Sequence, residues 1–275
     1  MAGKLFVTGT PIGNLSDFSP RAIEALESCD FIAAEDTRVT LKLLNHFDIK
    51  KPLISYYEHN KLQRGEEILS RILNGENCVI VTDAGMPAIS DPGMELVNDC
   101  HENGITVVSV PGPTAFATAL AISGMDSGRF TFEGFLSVNK SSRREHLKEV
   151  ASERRTMIFY EAPHKLSQTL KDMYEAFGDR NIAIVRELTK IHEEVIRTTL
   201  QKAVEDYPSN NLKGELVLII EGAPKERKEE ISLSDAVEIA REFVGAGMSV
   251  NDASKMAAKQ TGIKKSDIYK ELSQN

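Results

Sequence analysis

The sequence predicts an α/β fold: two α/β domains followed by a small helical tail. Three observations carry this. Short β-branched runs alternate with segments of helical period, the order that builds βαβ units. Several runs stop abruptly in stretches rich in Gly, Pro, Asp and Ser, and in open α/β sheets ligands bind at such carboxyl-end loops. The 275 residues suffice for two domains, and beyond residue 224 the pattern changes to a charged run and short helical segments. The expected divisions are 1–115, 116–224 and 225–275.

Leu5-Phe6-Val7 reads as the first strand, feeding the turn Thr8–Leu15. The turn is neither Gly-x-Gly-x-x-Gly nor followed by Gly-Lys-Ser/Thr, which disfavours a nicotinamide or nucleoside-triphosphate enzyme. Ser19 before Pro20 starts a helix, since the hydroxyl can cap free N–H groups and Pro is tolerated at the first helical position. It runs to about Ser28, with Ile23 and Leu26 inward. Phe31–Ala34 is a second strand that ends in Glu35-Asp36-Thr37-Arg38, a run that is more often solvated loop than active site, a margin narrowed by its place at a strand's carboxyl end. Leu41, Leu44 and Phe47 continue at helical spacing. Leu53–Tyr57 is a strand candidate ending in Glu58-His59-Asn60, and Ile68, Leu69, Ile72 and Leu73 mark a helix ending near Gly75.

Val79-Ile80-Val81 then feeds the longest loop, Thr82–Gly93, which has the composition of a ligand loop and also of an ordinary connector with two prolines. Met94, Leu96, Val97 and Cys100 form the next helix. Ile105–Val110 lacks alternation, as a parallel strand buried on both faces does. It ends in Pro111-Gly112-Pro113-Thr114-Ala115, and the small-residue helix Phe116–Ser123 leads into the second domain.

There the expected elements are strand Phe130–Phe135, helix Ser142–Glu153, strand Thr156–Tyr160, a helix opened by Glu161-Ala162-Pro163-His164, strands Asn181–Arg186 and Glu193–Leu200, and strand Leu216–Ile220. Many strands and few helices imply a partly antiparallel sheet. After the charged run Lys225–Glu230, three helices are expected at Ser232–Gly245, Val250–Thr261 and Lys265–Leu272. They resemble a helix-turn-helix or a packing appendage about equally.

Composition narrows the function. No segment approaches the roughly eighteen apolar residues of a membrane span, and the start lacks a signal-peptide pattern, so a cytoplasmic protein without membrane attachment is expected. Cys29, Cys78 and Cys100 are isolated, and the six histidines show no ligand spacing, so neither a disulfide framework nor a metal site is expected. A net charge of −8 argues against bulk electrostatic coating of nucleic acid. A local basic patch remains at 140–155, readable as an RNA surface or a solvated helix face.

Gly9-Thr10-Pro11-Ile12-Gly13-Asn14-Leu15, the loop Asp83–Gly93, Pro111-Gly112-Pro113-Thr114-Ala115 and Phe159-Tyr160-Glu161-Ala162-Pro163-His164 together resemble the tetrapyrrole methylase family. Ala34–Arg38, Glu58-His59-Asn60, Ser90-Asp91-Pro92-Gly93 and Arg186–Lys190 resemble the signatures of one branch, whose members 2′-O-methylate a cytidine ribose in 16S rRNA of the small ribosomal subunit. The resemblance implies two α/β domains of the class III methyltransferase type around a cleft, S-adenosylmethionine as cofactor and a homodimer. The implied cofactor contacts are Pro11, Asp83, Ala84, Gly85, Met86, Ile89, Thr114, Ala115, Glu161 and Leu188. A 2′-hydroxyl benefits from a nearby base, and the candidates are Glu35, Asp36, His59, Glu187 and Lys190. Arg38, Lys140, Arg143 and Arg144 are the candidate RNA contacts. A small-molecule methylase acting on a tetrapyrrole precursor is the alternative, and a non-enzymatic regulator is the least favoured reading.

Overall fold

The computed structural model describes residues 1–209, 212–224 and 232–273. The chain divides into two compact units, Met1–Ala223 and Pro224–Asn275.

The first unit holds two five-stranded sheets. In the first, β1 (Lys4–Thr8), β2 (Phe31–Ala34), β3 (Leu53–Ser55), β4 (Cys78–Val81) and β5 (Thr106–Val110) lie in the order β3-β2-β4-β1-β5, all parallel. Helices α1 (Pro20–Ser28) and α2 (Thr37–His46) cover one face, where Leu26 and Leu44 pack on Ile32, Val79 and Val81. Helices α3 (Lys61–Leu73) and α4 (Met94–Glu102) cover the other, where Ile68, Ile72 and Leu96 pack on Leu5, Phe31 and Ile80. Ser19 caps α1 by accepting the Ala22 N–H at 3.1 Å, with Pro20 next to it. Alternate residues of the central strands therefore enter opposite cores, which is why these strands read as continuous apolar runs.

Helix α5 (Ala115–Ser123) leads to the second sheet, formed by β6 (Phe130–Phe135), β7 (Thr156–Glu161), β8 (Asn181–Arg186), β9 (Glu194–Thr199) and β10 (Leu216–Ile220). Its order is β6-β7-β10-β8-β9; β6 and β7 are parallel, and β10 runs antiparallel to both β7 and β8. The mixed sheet is thus present. One face packs on α6 (Lys140–Glu149), α7 (Leu166–Phe177) and α8 (Leu200–Asp206) through Leu147, Leu170, Met173 and Leu200. The other receives Ala119 and Leu120 of α5 together with Ile12 from the β1 loop and Leu188 from the β8 loop. That shared cluster joins the loop ends of the two sheets.

The second unit packs α9 (Leu233–Gly245), α10 (Val250–Thr261) and α11 (Lys265–Ser273) around Ala236, Ala240, Ala257 and Ile268. Ser232 caps α9, accepting the Asp235 N–H at 3.2 Å. The charged run 225–230 lies outside the described residues.

Several local expectations change. Strand β5 is an edge strand with Thr106 and Ser109 exposed, so its lack of alternation does not reflect burial on both faces. Leu41 and Leu73 face outward, at 49% and 45% exposure, because the inward stripes of α2 and α3 pass through Leu44 and Ile72 instead. Helix α6 starts two residues early, at Lys140, because the Asn139 carboxamide accepts the Ser141 N–H at 2.9 Å and the Ser142 N–H at 3.2 Å. Helix α8 had no clear periodic signal over its seven residues.

Candidate active site

A cavity of about 380 Å³ opens where the loops of the two sheets converge. The first sheet supplies Ile12, Glu35, Thr82–Met86, Ile89–Asp91, Thr114 and Ala115 from the carboxyl ends of its strands. The second supplies Phe135, Tyr160–Pro163 and Leu188 from the same ends of β6, β7 and β8. Because β10 is antiparallel, its amino end adds Glu215, Leu216 and Val217 to that rim, with Leu216 opposite Glu161 on one side and Arg186 on the other.

Backbone contacts hold the first-sheet wall. Thr10 and Gly85 form a two-bond antiparallel bridge, N–H to carbonyl at 2.9 and 3.1 Å, and Thr10 Oγ1 donates to the Thr82 carbonyl at 3.0 Å. Gly85 needs to be glycine for its φ of +90° rather than for space. The steric limit lies at Gly9, where a Cβ would sit 2.7 Å from Gly112 Cα and 2.7 Å from Met86 Sδ. The Asp36 N–H donates to Asp83 Oδ1 at 3.1 Å, while the Thr82 hydroxyl and the Asp83 N–H donate to Glu35 Oε2, the latter at 3.3 Å. The β2 and β4 loops therefore clasp each other.

Three carboxylates result on this wall. Burial raises Asp83 above the ordinary carboxylate range. Asp91 is pushed up to about 6, chiefly by burial and then by the neighbouring Glu35 charge, with the Thr82 hydroxyl opposing the shift. Among the described residues no lysine, arginine or histidine lines the cavity. On the second-sheet wall, Tyr160 accepts the Phe116 N–H at 3.1 Å, and its hydroxyl pKa is raised by burial. The buried Glu161 carboxylate accepts the Ala162 N–H at 2.8 Å and the Thr169 hydroxyl.

Of the cofactor contacts expected from sequence, Asp83, Ala84, Gly85, Met86, Ile89, Thr114, Ala115, Glu161 and Leu188 line this cavity. Pro11 lines a neighbouring one instead. Of the candidate bases, only Glu35 reaches the cavity wall. Asp36 caps α2 and pairs with Arg38 at 2.6 Å, and the hydrogen bonds from Arg38 hold its carboxyl down at about 2, which makes it a poor base. His59 lies in the turn after β3, edge-on to Tyr57, and does not line the cavity. Glu187 and Lys190 pair at 3.0 Å, Lys190 also meets Glu215 at 3.2 Å, and neither Glu187 nor Lys190 lines the cavity. Their turn is strained, with Glu187 and Thr189 at φ of 51° and 64°.

The basic patch is also corrected. Arg143 is buried and bound to Asp172 at 2.8 Å, and Arg144 bridges Asp172 and Glu175 at 3.0 and 2.7 Å. Burial alone would raise Asp172, yet bonds from Arg143, Gln168 and Arg144 hold it below its ordinary value. Arg143 is thus a structural ion-pair partner and offers nothing to RNA, whereas Lys140 and Arg38 are exposed. Sequence reasoning gave no role to Asp91, Tyr160 or the Glu215–Val217 segment. Asp91 did stand in the quoted Ser90-Asp91-Pro92-Gly93 stretch, but only the fold brings it to Glu35.

The sequence model of the tetrapyrrole (corrin/porphyrin) methylases matches residues 4–204. The chain belongs to this family. Within it, the chain is 45% identical to the ribosomal RNA small subunit methyltransferase I of Synechocystis sp., over 97% of this chain and 96% of that one. It is 46% identical to the protein of that name from Halalkalibacterium halodurans, over 97% and 93%. The fold is that of uroporphyrin-III C-methyltransferase from Thermus thermophilus, solved with S-adenyl homocysteine, at TM-score 0.57 and 17% identity over 80% of this chain and 97% of that one. As a member of this methylase family the chain is a methyltransferase dependent on S-adenosylmethionine.

The residues fit that cofactor. A cavity of a few hundred Å³ with apolar walls and few convergent polar groups suits a small organic ligand. Ile12, Met86, Ile89, Leu188 and Val217 offer apolar surface for an adenine ring. Asp83, Asp91 and Glu35, with no facing cation, complement the ammonium and sulfonium charges.

Proposed function

We propose that this chain 2′-O-methylates a cytidine of 16S rRNA in the small ribosomal subunit. Bound in the cavity, the cofactor supplies a methyl group on a positively charged sulfur. The observation that carries the reading is a carboxylate-walled cavity, without a cation among the described residues that line it, in a chain sharing 45% identity with a small-subunit rRNA methyltransferase. The loops of both sheets surround the cavity and fix the approach of the accepting hydroxyl, and such alignment is a large part of the rate in a displacement of this kind. Glu35, held by the Thr82 hydroxyl and the Asp83 N–H, orients the wall, and Asp83 or Asp91 accepts the hydroxyl proton.

The likeness to tetrapyrrole enzymes at 17% identity is one of fold and gives no support to a tetrapyrrole substrate. Among the described residues no helix is long and apolar enough to cross a membrane. Family resemblance extends the proposal to a homodimer acting in the cytoplasm, and light scattering on the purified protein tests the dimer.

The direct test incubates the protein with methyl-labelled S-adenosylmethionine and small subunits lacking the modification, alongside naked 16S RNA, followed by nucleoside mass spectrometry. The expected product is 2′-O-methylcytidine. Base-methylated cytidine refutes the ribose assignment, and no transfer to either RNA refutes the RNA reading.

A further inference from the structure

A second cavity, of about 300 Å³, adjoins the first: Thr82 and Asp83 line both. Its other walls are the turn after β1, including Pro11 and Leu15, and the outer face of α2, including Val39 and Lys42. We propose that this cavity is the subsite for the acceptor nucleotide, taking its base and ribose unstacked from the RNA. The inference rests on the methyltransferase reading above and deepens it.

Position is the first argument. In a displacement at a methyl carbon, the accepting oxygen approaches opposite the sulfur. The acceptor therefore needs its own pocket beside the cofactor cavity, and the second cavity is such a neighbour, sharing Thr82 and Asp83 with the first. Asp83 Oδ1 is engaged by the Asp36 N–H, whereas Oδ2 makes no hydrogen bond among the described residues and is free to meet a hydroxyl. Burial raises this carboxyl, which favours its taking up a proton.

Chemistry is the second argument. The larger cavity has carboxylates and no cation, which suits a positively charged donor and repels phosphate. The second cavity pairs exposed apolar side chains, Leu15 at 44% and Val39 at 38%, with Lys42. Lys42 has no ion-pair partner among the described residues, unlike Lys190, whose ammonium is taken by Glu187 and Glu215. Apolar surface for a base face beside an unpaired cation for a phosphate is how proteins hold a splayed-out nucleotide. The turn is preformed: Asn14 accepts the Ser16 N–H at 3.0 Å, and Thr10 is pinned to Gly85.

The test measures S-adenosylmethionine affinity by calorimetry, and kcat and KM for unmodified small subunits, with wild type, Val39→Glu and Lys42→Ala. The expected result is an RNA KM raised about tenfold by Val39→Glu and about threefold to tenfold by Lys42→Ala, with donor affinity within about twofold of wild type. Lys42→Ala also lowers the salt slope of RNA binding by about one. Lys42 is exposed, so this variant remains informative if Val39→Glu folds poorly. An RNA KM unchanged in Lys42→Ala and in folded Val39→Glu overturns the subsite while leaving the enzyme reading intact. Failure of wild type to methylate RNA overturns both.

Discussion

On the first-sheet side of the larger cavity, loops hold one another through main chain: the Thr10–Gly85 bridge, the Gly9–Gly112 contact and the N–H donors of Asp36 and Asp83. On the second-sheet side, side chains do the holding, through Tyr160 to the Phe116 N–H, Glu161 to the Thr169 hydroxyl and Glu187 to Lys190. A backbone-built wall fixes shape with little side-chain freedom to lose. Its carboxylates also clasp the loops, Glu35 Oε2 and Asp83 Oδ1 each accepting bonds, but they meet no cation within hydrogen-bonding distance among the described residues, whereas Glu187 opposite is held in an ion pair with Lys190. Charge for a cationic donor is thus concentrated on one wall.

The largest effect is expected from breaking the backbone wall. Gly9→Ala places a Cβ against Met86 Sδ, whose side chain can turn aside, and against the Gly112 backbone, which cannot give way without parting the β1 and β5 loops. Stability should fall by about 3 kcal/mol, read by denaturant unfolding, with a loss of donor affinity read by calorimetry. Unchanged donor binding would show that the close approach of these loops does not shape the site.

Next comes the charge that this wall carries. Asp91 titrates at about 6 in the fold against 3.8 for an ordinary aspartate. Its protonated form is the one the fold favours, so its contribution to stability is present at low pH and is lost as pH rises from about 4 through about 6. Asp91→Asn should therefore stabilise the protein at pH 7.5 by about 1–3 kcal/mol, allowing for partial solvent screening. The gain should shrink at pH 4.5. An equal gain at both values would remove the ionisation argument. Methyl transfer should fall in the same variant.

The smallest effect belongs to the side-chain wall. Tyr160→Phe removes one acceptor from the Phe116 N–H at the start of α5 and should cost about 1 kcal/mol, read by thermal unfolding. A cost as large as that of Gly9→Ala would mean that the second wall is as rigidly determined as the first.

The strand ends and their loops were legible because their signals are local. A β-branched run meeting Asp83-Ala84-Gly85 says that a strand stops, and the separated motifs around it name the family. Misread residues were those whose partners lie far along the chain. Arg143 looks like basic surface until Asp172, twenty-nine residues on, takes it into a buried ion pair, whereas Arg144 pairs with the same carboxylate and stays exposed. Strand β5 reads as central because hydrophobicity records burial tendency and is silent on strand order.

The sequence by itself determined the two α/β layers, the Ser19-capped start of α1 and the loops of the site, since periodicity, caps and turn residues act over a few neighbours. Only the tertiary structure decided which carboxylates are free and which are spent. It also brought Asp91 beside Glu35, delivered the amino end of β10 to the rim and set a second cavity beside the first, with Thr82 and Asp83 lining both. Burial and distance set the charge of those groups, and both come into being only when segments remote in the chain pack together.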